Sequence, residues 1–249
     1  MREIGPKNLF FVGLVALLYV GLSILSAVIA QLFSVTSLVG KVITFQVITL
    51  APVGYVLNLF VPQLNNSPNV ELSTKAIAKY TLGILLLSIF STRVSNLIYG
   101  TVELDRGLDF DSHSASAFMS IVVLGPILEE YLFRRGLYGY LHEKTTPIIA
   151  LVCTSVVFCL SHLPLQYSIA LVGISFGLTY LYHRTKSFKS VTIVHMIINF
   201  LAWLNFGRQP AVGLISDQEP FIVILTSLLF SVFAFLGFRL LHRSTDSVE

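Results

Sequence analysis

The chain has 249 residues, of which 55% are hydrophobic and 12% charged, about half the charged share of ordinary soluble domains. The net charge of +3 is small and its basic residues are scattered between apolar runs, which excludes a nucleic-acid-binding surface. The two cysteines, Cys153 and Cys159, give neither a C-x-x-C pair nor a disulfide framework and read as packing residues.

A helix needs about 20 apolar residues to cross the hydrocarbon core, and eight segments approach that length. The first, about 9–33, follows the basic start MREIGPKNLF and reaches Phe33 without an A-x-A cleavage site, so it reads as a retained helix rather than a signal peptide. The next two cover 41–61 and 75–99, separated by the turn-forming QLNNSPN at 63–69. An acidic break, TVELDRGLDFDSHSA at 101–115, precedes a fourth span at 116–141. Spans at 146–163, 166–183, 188–206 and 220–241 complete the series, with GRQP at 207–210 before the last. The expected fold is therefore all-α and polytopic, a single integral membrane domain over 1–249. Lys and Arg decide its orientation: with both termini in the cytoplasm, twelve fall on the cytoplasmic side, against Lys41, Arg106 and Arg208 outside and Arg93 near that end.

The fourth span carries the charges that a membrane segment should lack, in LGPILEEYLFRRGLYGYL at 124–141. Each costs at least about 2.5 kcal/mol at the bilayer centre on insertion scales, so each needs a physical reason. Glu130 and Arg134, four apart on a helix, face each other and neutralise as a pair. Arg135 lies nearer the cytoplasmic end, where a long side chain can reach out to water. Glu129 points about 100 degrees away from Glu130 and has no partner on its own helix. That makes Glu129 a candidate for proton transfer; the bland alternative is a hydrogen bond to a neighbouring helix. Pro126 should free one carbonyl and loosen the turn just before it.

Two further helices offer polar company. FCLSH places Phe158 and His162 on one face of the fifth span, and HMIIN places His195 and Asn199 on one face of the seventh. A lone histidine in an apolar helix is more often a satisfied packing residue than a ligand. Two of them together with the adjacent glutamates form a constellation.

These residues resemble a known family. EEYLFR at 129–134 is similar to the E-E-x-x-x-R motif, FCLSH at 158–162 to F-x-x-x-H, and HMIIN at 195–199 to H-x-x-x-N, in the order found in the CPBP family. This is the family of CAAX-processing and bacteriocin-processing intramembrane proteases, also called Abi, which includes the type II CAAX prenyl endopeptidase. The glycine that follows the first motif is displaced to Gly136 by the additional Arg135. The resemblance covers about 115–206, the core of helices 4 to 7. It implies a polar intramembrane cavity open to the cytosol and peptide-bond hydrolysis within it. Glu129 would then take a proton from water and His162 would hold that water. His195 and Asn199 would stabilise the oxyanion. Glu130 and Arg134 would be the supporting pair, with Phe158 packed beside the histidine. The expected substrate is a peptide or membrane-associated protein in a bacterial cell membrane, and the lipid bilayer is the other partner; oligomeric state is not readable. Glu129, His162 and His195 could also serve as a zinc set, so the cofactor is open between none and zinc. The absence of an H-E-x-x-H motif favours metal-free catalysis.

Three competing readings carry less. GISFG at 173–177 matches the nucleophile-elbow pattern and would make Ser175 a nucleophile with His195 as its base, but it reads better as G-x-x-x-G helix packing. A non-proteolytic scaffold or bacteriocin self-immunity protein could retain the same fold. A transporter is disfavoured by the lack of an inverted repeat. Trp203 fits an interfacial anchor, while Tyr131, Tyr138 and Tyr140 suit either a cavity lining or an interface. His183, Arg184, Lys186 and Lys189 form a cytoplasmic basic loop, and Asp105, Asp109 and Asp111 a solvated one. Helix length sets one awkward geometry: with the assumed span ends, Glu129, His162 and His195 sit at depths of roughly 18, 24 and 10 Å.

Overall fold

The computed structural model describes residues 46–60, 70–99, 115–162 and 165–205 continuously, with parts of 18–35, 40–44 and 229–240. The acidic segment 101–114 with its three aspartates, the turns at 63–69 and 207–210, and the outer parts of the first and last expected spans lie outside the described residues, as do Arg2, Lys7, Lys41, Arg106, Arg208 and Arg243 of the residues behind the expected orientation. Among the described residues the regular elements are all helical, with no strand. Two compact units emerge, Met1–Ser67 with Asp105–Leu151 and Pro68–Leu104 with Val152–Glu249.

In the first unit a π-helical turn, Gln46–Leu50, leads into α1 (Ala51–Phe60). The other long element, α3 (115–144), is one rod whose winding changes along its length. Met119–Leu124 and Glu130–Tyr138 are π-helical, while Gly125–Glu129 between them is α-helical. Leu124, Glu129 and Tyr138 at the joins keep right-handed helical dihedrals, so the rod is not broken. In a π-turn the N–H bonds five residues back instead of four, and Gly125 donates in that way to the Ser120 carbonyl. Pro126, which has no N–H, follows at once. The expected loosening at Pro126 thus takes the form of a wide turn that ends just before it. The rod also runs three residues past the expected end at 141, until extended backbone at Thr145 stops it. α1 packs against the Glu130–Tyr138 segment.

In the second unit α2 (Thr74–Tyr99) is the central post, begun by Ser73, whose Oγ accepts from the Ala76 N–H at 3.3 Å. Around it stand α5 (Leu165–Ala170), α6 (Val172–Thr185) and α7 (Phe188–Asn205), while α4 (Pro147–Leu160) bonds to α6 from Ser155 to Thr179. α6 approaches α2 through Gly173 and Gly177. A Cβ on Gly173 would stand 2.3 Å from the Leu87 carbonyl oxygen, and one on Gly177 2.5 Å from Ile84 Cγ1. The G-x-x-x-G reading of 173–177 therefore describes the structure. Ser175 between them is fully buried and donates its hydroxyl to the Ser155 carbonyl at 3.2 Å. That bond spends its proton on packing, and a nucleophile would donate it to a base.

The sixth expected span, 166–183, is interrupted at Leu171. Ser91 of α2 repairs the break: its Oγ donates to the Ala170 carbonyl at 2.6 Å and accepts from the Gly173 N–H at 3.2 Å. A hydroxyl can do both, which is why this polar residue stands on the face of α2 that meets the break. The fifth expected span also ends early, at Leu160, so His162 occupies a turn beyond α4 and not its interior. The fourteen residues of α4 rise about 21 Å, short of a hydrocarbon core of about 30 Å.

Among the described residues, one helix is long and apolar enough to cross a membrane, Thr74–Ser95, with a mean hydropathy of 1.4. Gln46–Val56, Pro147–Leu160 and Phe188–Leu204 are apolar but shorter. α4 nevertheless leaves Ile148, Val152 and Val156 exposed, four residues apart along one face. Cys153 lies exposed beside that stripe, contrary to its reading as a packing residue, whereas Cys159 is buried as expected.

Close approach without a side chain sets a graded expectation. Gly173→Ala should lower the thermal midpoint of purified protein by the equivalent of about 1–3 kcal/mol, because it meets rigid backbone. Gly177→Ala, which meets a movable isoleucine side chain, should cost less.

The loop from α6 to α7 carries a second one. Lys186 caps α6 in the left-handed region, φ 52°, and burial pushes its ammonium down to about 8. The unfolded chain then holds more protons than the folded one between pH 8 and the ordinary lysine value, so stability should rise with pH through that window. Lys186→Met should flatten the dependence of the thermal midpoint on pH there.

Candidate functional site

The first unit holds the acidic part of the candidate site. Glu130 and Arg134 are both 0% exposed, and Arg134 Nη1 donates to Glu130 Oε1 at 2.9 Å. The wider π winding brings residues four apart closer to vertical alignment than an α-helix does. Leu132, Phe133 and Leu137 are buried on the same stretch. Arg135, by contrast, is exposed and places its guanidinium 5.8 Å from the Tyr131 ring centroid. The two adjacent arginines thus have opposite fates, as their helix positions required. Tyr138 and Tyr140 are buried, and Tyr138 stacks at a tilt on His142.

Glu129 is half-buried and its carboxylate stands beside Gly125, one turn earlier. On the other side of Gly125 is a polar pair that sequence reasoning missed. Gln46 donates from Nε2 to the Ser120 carbonyl at 3.0 Å, and Ser120 Oγ donates back to Gln46 Oε1 at 3.3 Å. Both residues are buried. The available signal was an amide inside the apolar run KVITFQVITL.

The second unit holds the histidine part. Phe158 is buried near the end of α4, its ring centroid 4.6 Å from that of His162 and 6.2 Å from that of His195. One phenyl ring therefore locates both imidazoles. His162 Nδ1 lies 2.9 Å from the Phe158 carbonyl oxygen and 3.1 Å from Ser161 Oγ. A carbonyl only accepts, so in that bond Nδ1 carries the proton, and in the neutral ring Nε2 is then the acceptor. Ser161 donates to the same carbonyl at 2.7 Å and so braces the arrangement from the neighbouring position, another contribution the motifs did not reveal. His195 is buried on α7 and Asn199 follows one turn later, half-buried. The structure thus brings together Glu130 with Arg134 in one unit, and Phe158 with His162 and His195 in the other. Among the described residues no group of three or more His, Cys, Asp or Glu side chains is placed to hold a metal ion.

Residues 111–201 match the family described as Type II CAAX prenyl endopeptidase Rce1-like. The chain carries an Rce1-like domain. That domain includes every motif residue from Glu129 to Asn199, and leaves Gln46 outside it. The chain is also similar to YdiL of Bacillus subtilis (strain 168), whose name describes it by inference as a membrane peptidase: 28% identity over 137 residues, 49% of this chain and 56% of that protein. A second relative is named Membrane-embedded CAAX protease MroQ, of Staphylococcus aureus (strain USA300), at 27% identity over 184 residues, 64% of this chain and 72% of that one. The chain thus spans little more than half the length of the Bacillus relative. No solved structure matches.

The buried pair of the Rce1-like domain is a sharp test of its packing. Arg134→Met should destabilise the protein by about 3–5 kcal/mol, since it strands a buried carboxylate, while Glu130→Leu with Arg134→Met should recover most of that loss. Thermal or denaturant unfolding of the single and double variants checks both.

Proposed function

We propose that the protein is an intramembrane endopeptidase that hydrolyses a peptide bond of a peptide or membrane-associated protein, using water activated by Glu129. The observation that carries this reading is the set of three motifs in order within the Rce1-like domain. The relatives' names as membrane peptidases support it. In this reading the chain is a single polytopic domain of eight membrane helices, with its catalytic core at 115–206. Both termini are cytoplasmic, and a polar cavity admits substrate from that side.

The proposed steps use residues of this chain. Glu129 accepts a proton as water attacks the scissile carbonyl, and later returns it to the leaving amine. His162 accepts a hydrogen bond from the water at Nε2, the atom left basic by the Nδ1 bond to Phe158. His195 and Asn199 donate to the oxyanion as the carbonyl becomes tetrahedral, an interaction often worth a few kcal/mol. Glu130 and Arg134 hold the helix face that presents Glu129. Glu129, His162 and His195 are the residues that would hold a zinc ion if one takes part, and no step is assigned to a metal.

The test is cleavage of a proteome-derived peptide library by purified protein in nanodiscs, with and without chelator. Glu129→Gln and His195→Ala should each lower the rate at least about 100-fold, whereas Ser175→Ala should keep most of it. Activity in Glu129→Gln equal to that of wild type would sink the mechanism. Activity lost to chelator would reassign the water to a metal.

A further inference from the structure

The family match begins at residue 111, yet a buried side chain from outside it reaches the neighbourhood of Glu129. Gln46 is 4% exposed and Ser120 0%. Their two reciprocal hydrogen bonds fix which end of the amide is which. The Ser120 carbonyl can only accept, so Nε2 is the atom that faces it and Gly125, which leaves Oε1 to accept from the Ser120 hydroxyl. One of its two protons goes to that carbonyl, which already accepts from the Gly125 N–H through the π-turn. The second proton is not needed there.

Gly125 separates this amide from the carboxylate, and it does so without a side chain. The position a Cβ would take is 3.0 Å from Gln46 Nε2, 3.1 Å from the Ser120 carbonyl oxygen and 3.8 Å from Glu129 Oε1. Amide and carboxylate therefore face the same small opening, and their separation cannot exceed the first and last of those distances together. A methyl group would fill that space. Its absence leaves room for a direct bond or one bridging water.

We propose that Gln46 is a positioning residue for Glu129, its second amide proton donating to the carboxylate across Gly125. The idea rests on the reading of Glu129 as the group that activates water. A neutral donor is well suited here, because it fixes the direction of the carboxylate without the full charge that a lysine would bring. The π-turn at Met119–Leu124 contributes by presenting the Ser120 carbonyl and hydroxyl to the same amide.

The test needs no substrate. Carbodiimide attacks protonated carboxyl groups, and its adduct on Glu129 can be quantified by mass spectrometry of the full-length protein in nanodiscs, with Glu143 as an internal reference. Loss of the donor in Gln46→Leu should speed labelling of Glu129 roughly three- to tenfold, the factor carried by one ordinary hydrogen bond, with Glu143 unchanged. Ser120→Ala frees the amide without removing it and should give an intermediate rate; it decides the matter if Gln46→Leu does not fold. Gly125→Ala should act in the same direction by displacing the amide. Equal or slower labelling in the folded variants overturns the proposal. A protein that cleaves no peptide but labels faster in Gln46→Leu keeps this positioning and loses the proposed reaction.

Discussion

Two opposite charges without any exposure to solvent, Glu130 and Arg134, set the terms for α3. Neither could stand alone at full burial, because a stranded charge in low dielectric costs several kcal/mol. The pair fixes which face of the rod turns inward. Once that face is chosen, Arg135 must turn outward and Glu129 must lie to the side, beside Gly125. The pair is therefore less a source of stability than a device for orientation, and the placement of a half-buried carboxylate follows from it.

The histidine unit achieves orientation by other means. There a buried phenylalanine ring meets both imidazoles, and a main-chain carbonyl fixes the protonated nitrogen of one of them. This works only because α4 ends at Leu160. In a continuing helix the Phe158 carbonyl would accept from the backbone of residue 162; in the turn that follows, the ring of His162 takes that place while its N–H goes to Cys159. Helix termination, usually a matter of capping, here prepares a side chain for chemistry.

Much of this was legible from spacing. Four-residue separations announced the Glu130–Arg134 pair and the nearness of Phe158 and His162, though the latter meet across a turn and not on one helix face, and small residues four apart announced the α2–α6 contact. What spacing could not show was irregular winding. The π winding of α3 at Met119–Leu124 and Glu130–Tyr138 escapes a projection that assumes 3.6 residues per turn throughout. Nor could it show the interruption at Leu171, because Leu171 is neither Pro nor Gly and the hydroxyl that tolerates the break lies far earlier in the chain, at Ser91. Gln46 stayed invisible for the same reason: its partner is distant in sequence, and pattern reading along one helix does not register a contact between two.

The break at Leu171 also bears on biogenesis. α5 has six residues and rises about 9 Å, far too little for a translocation channel to release it into lipid as an independent segment. In the proposed membrane fold it must enter with a neighbour. The natural escort is α2, made earlier on the ribosome and long enough to be recognised by itself, because the donor and acceptor that α5 and α6 lack at their junction are both supplied by Ser91. A serine that looks like a local repair would then act during synthesis as the docking point at which a late, short segment finds the early helix that carries it.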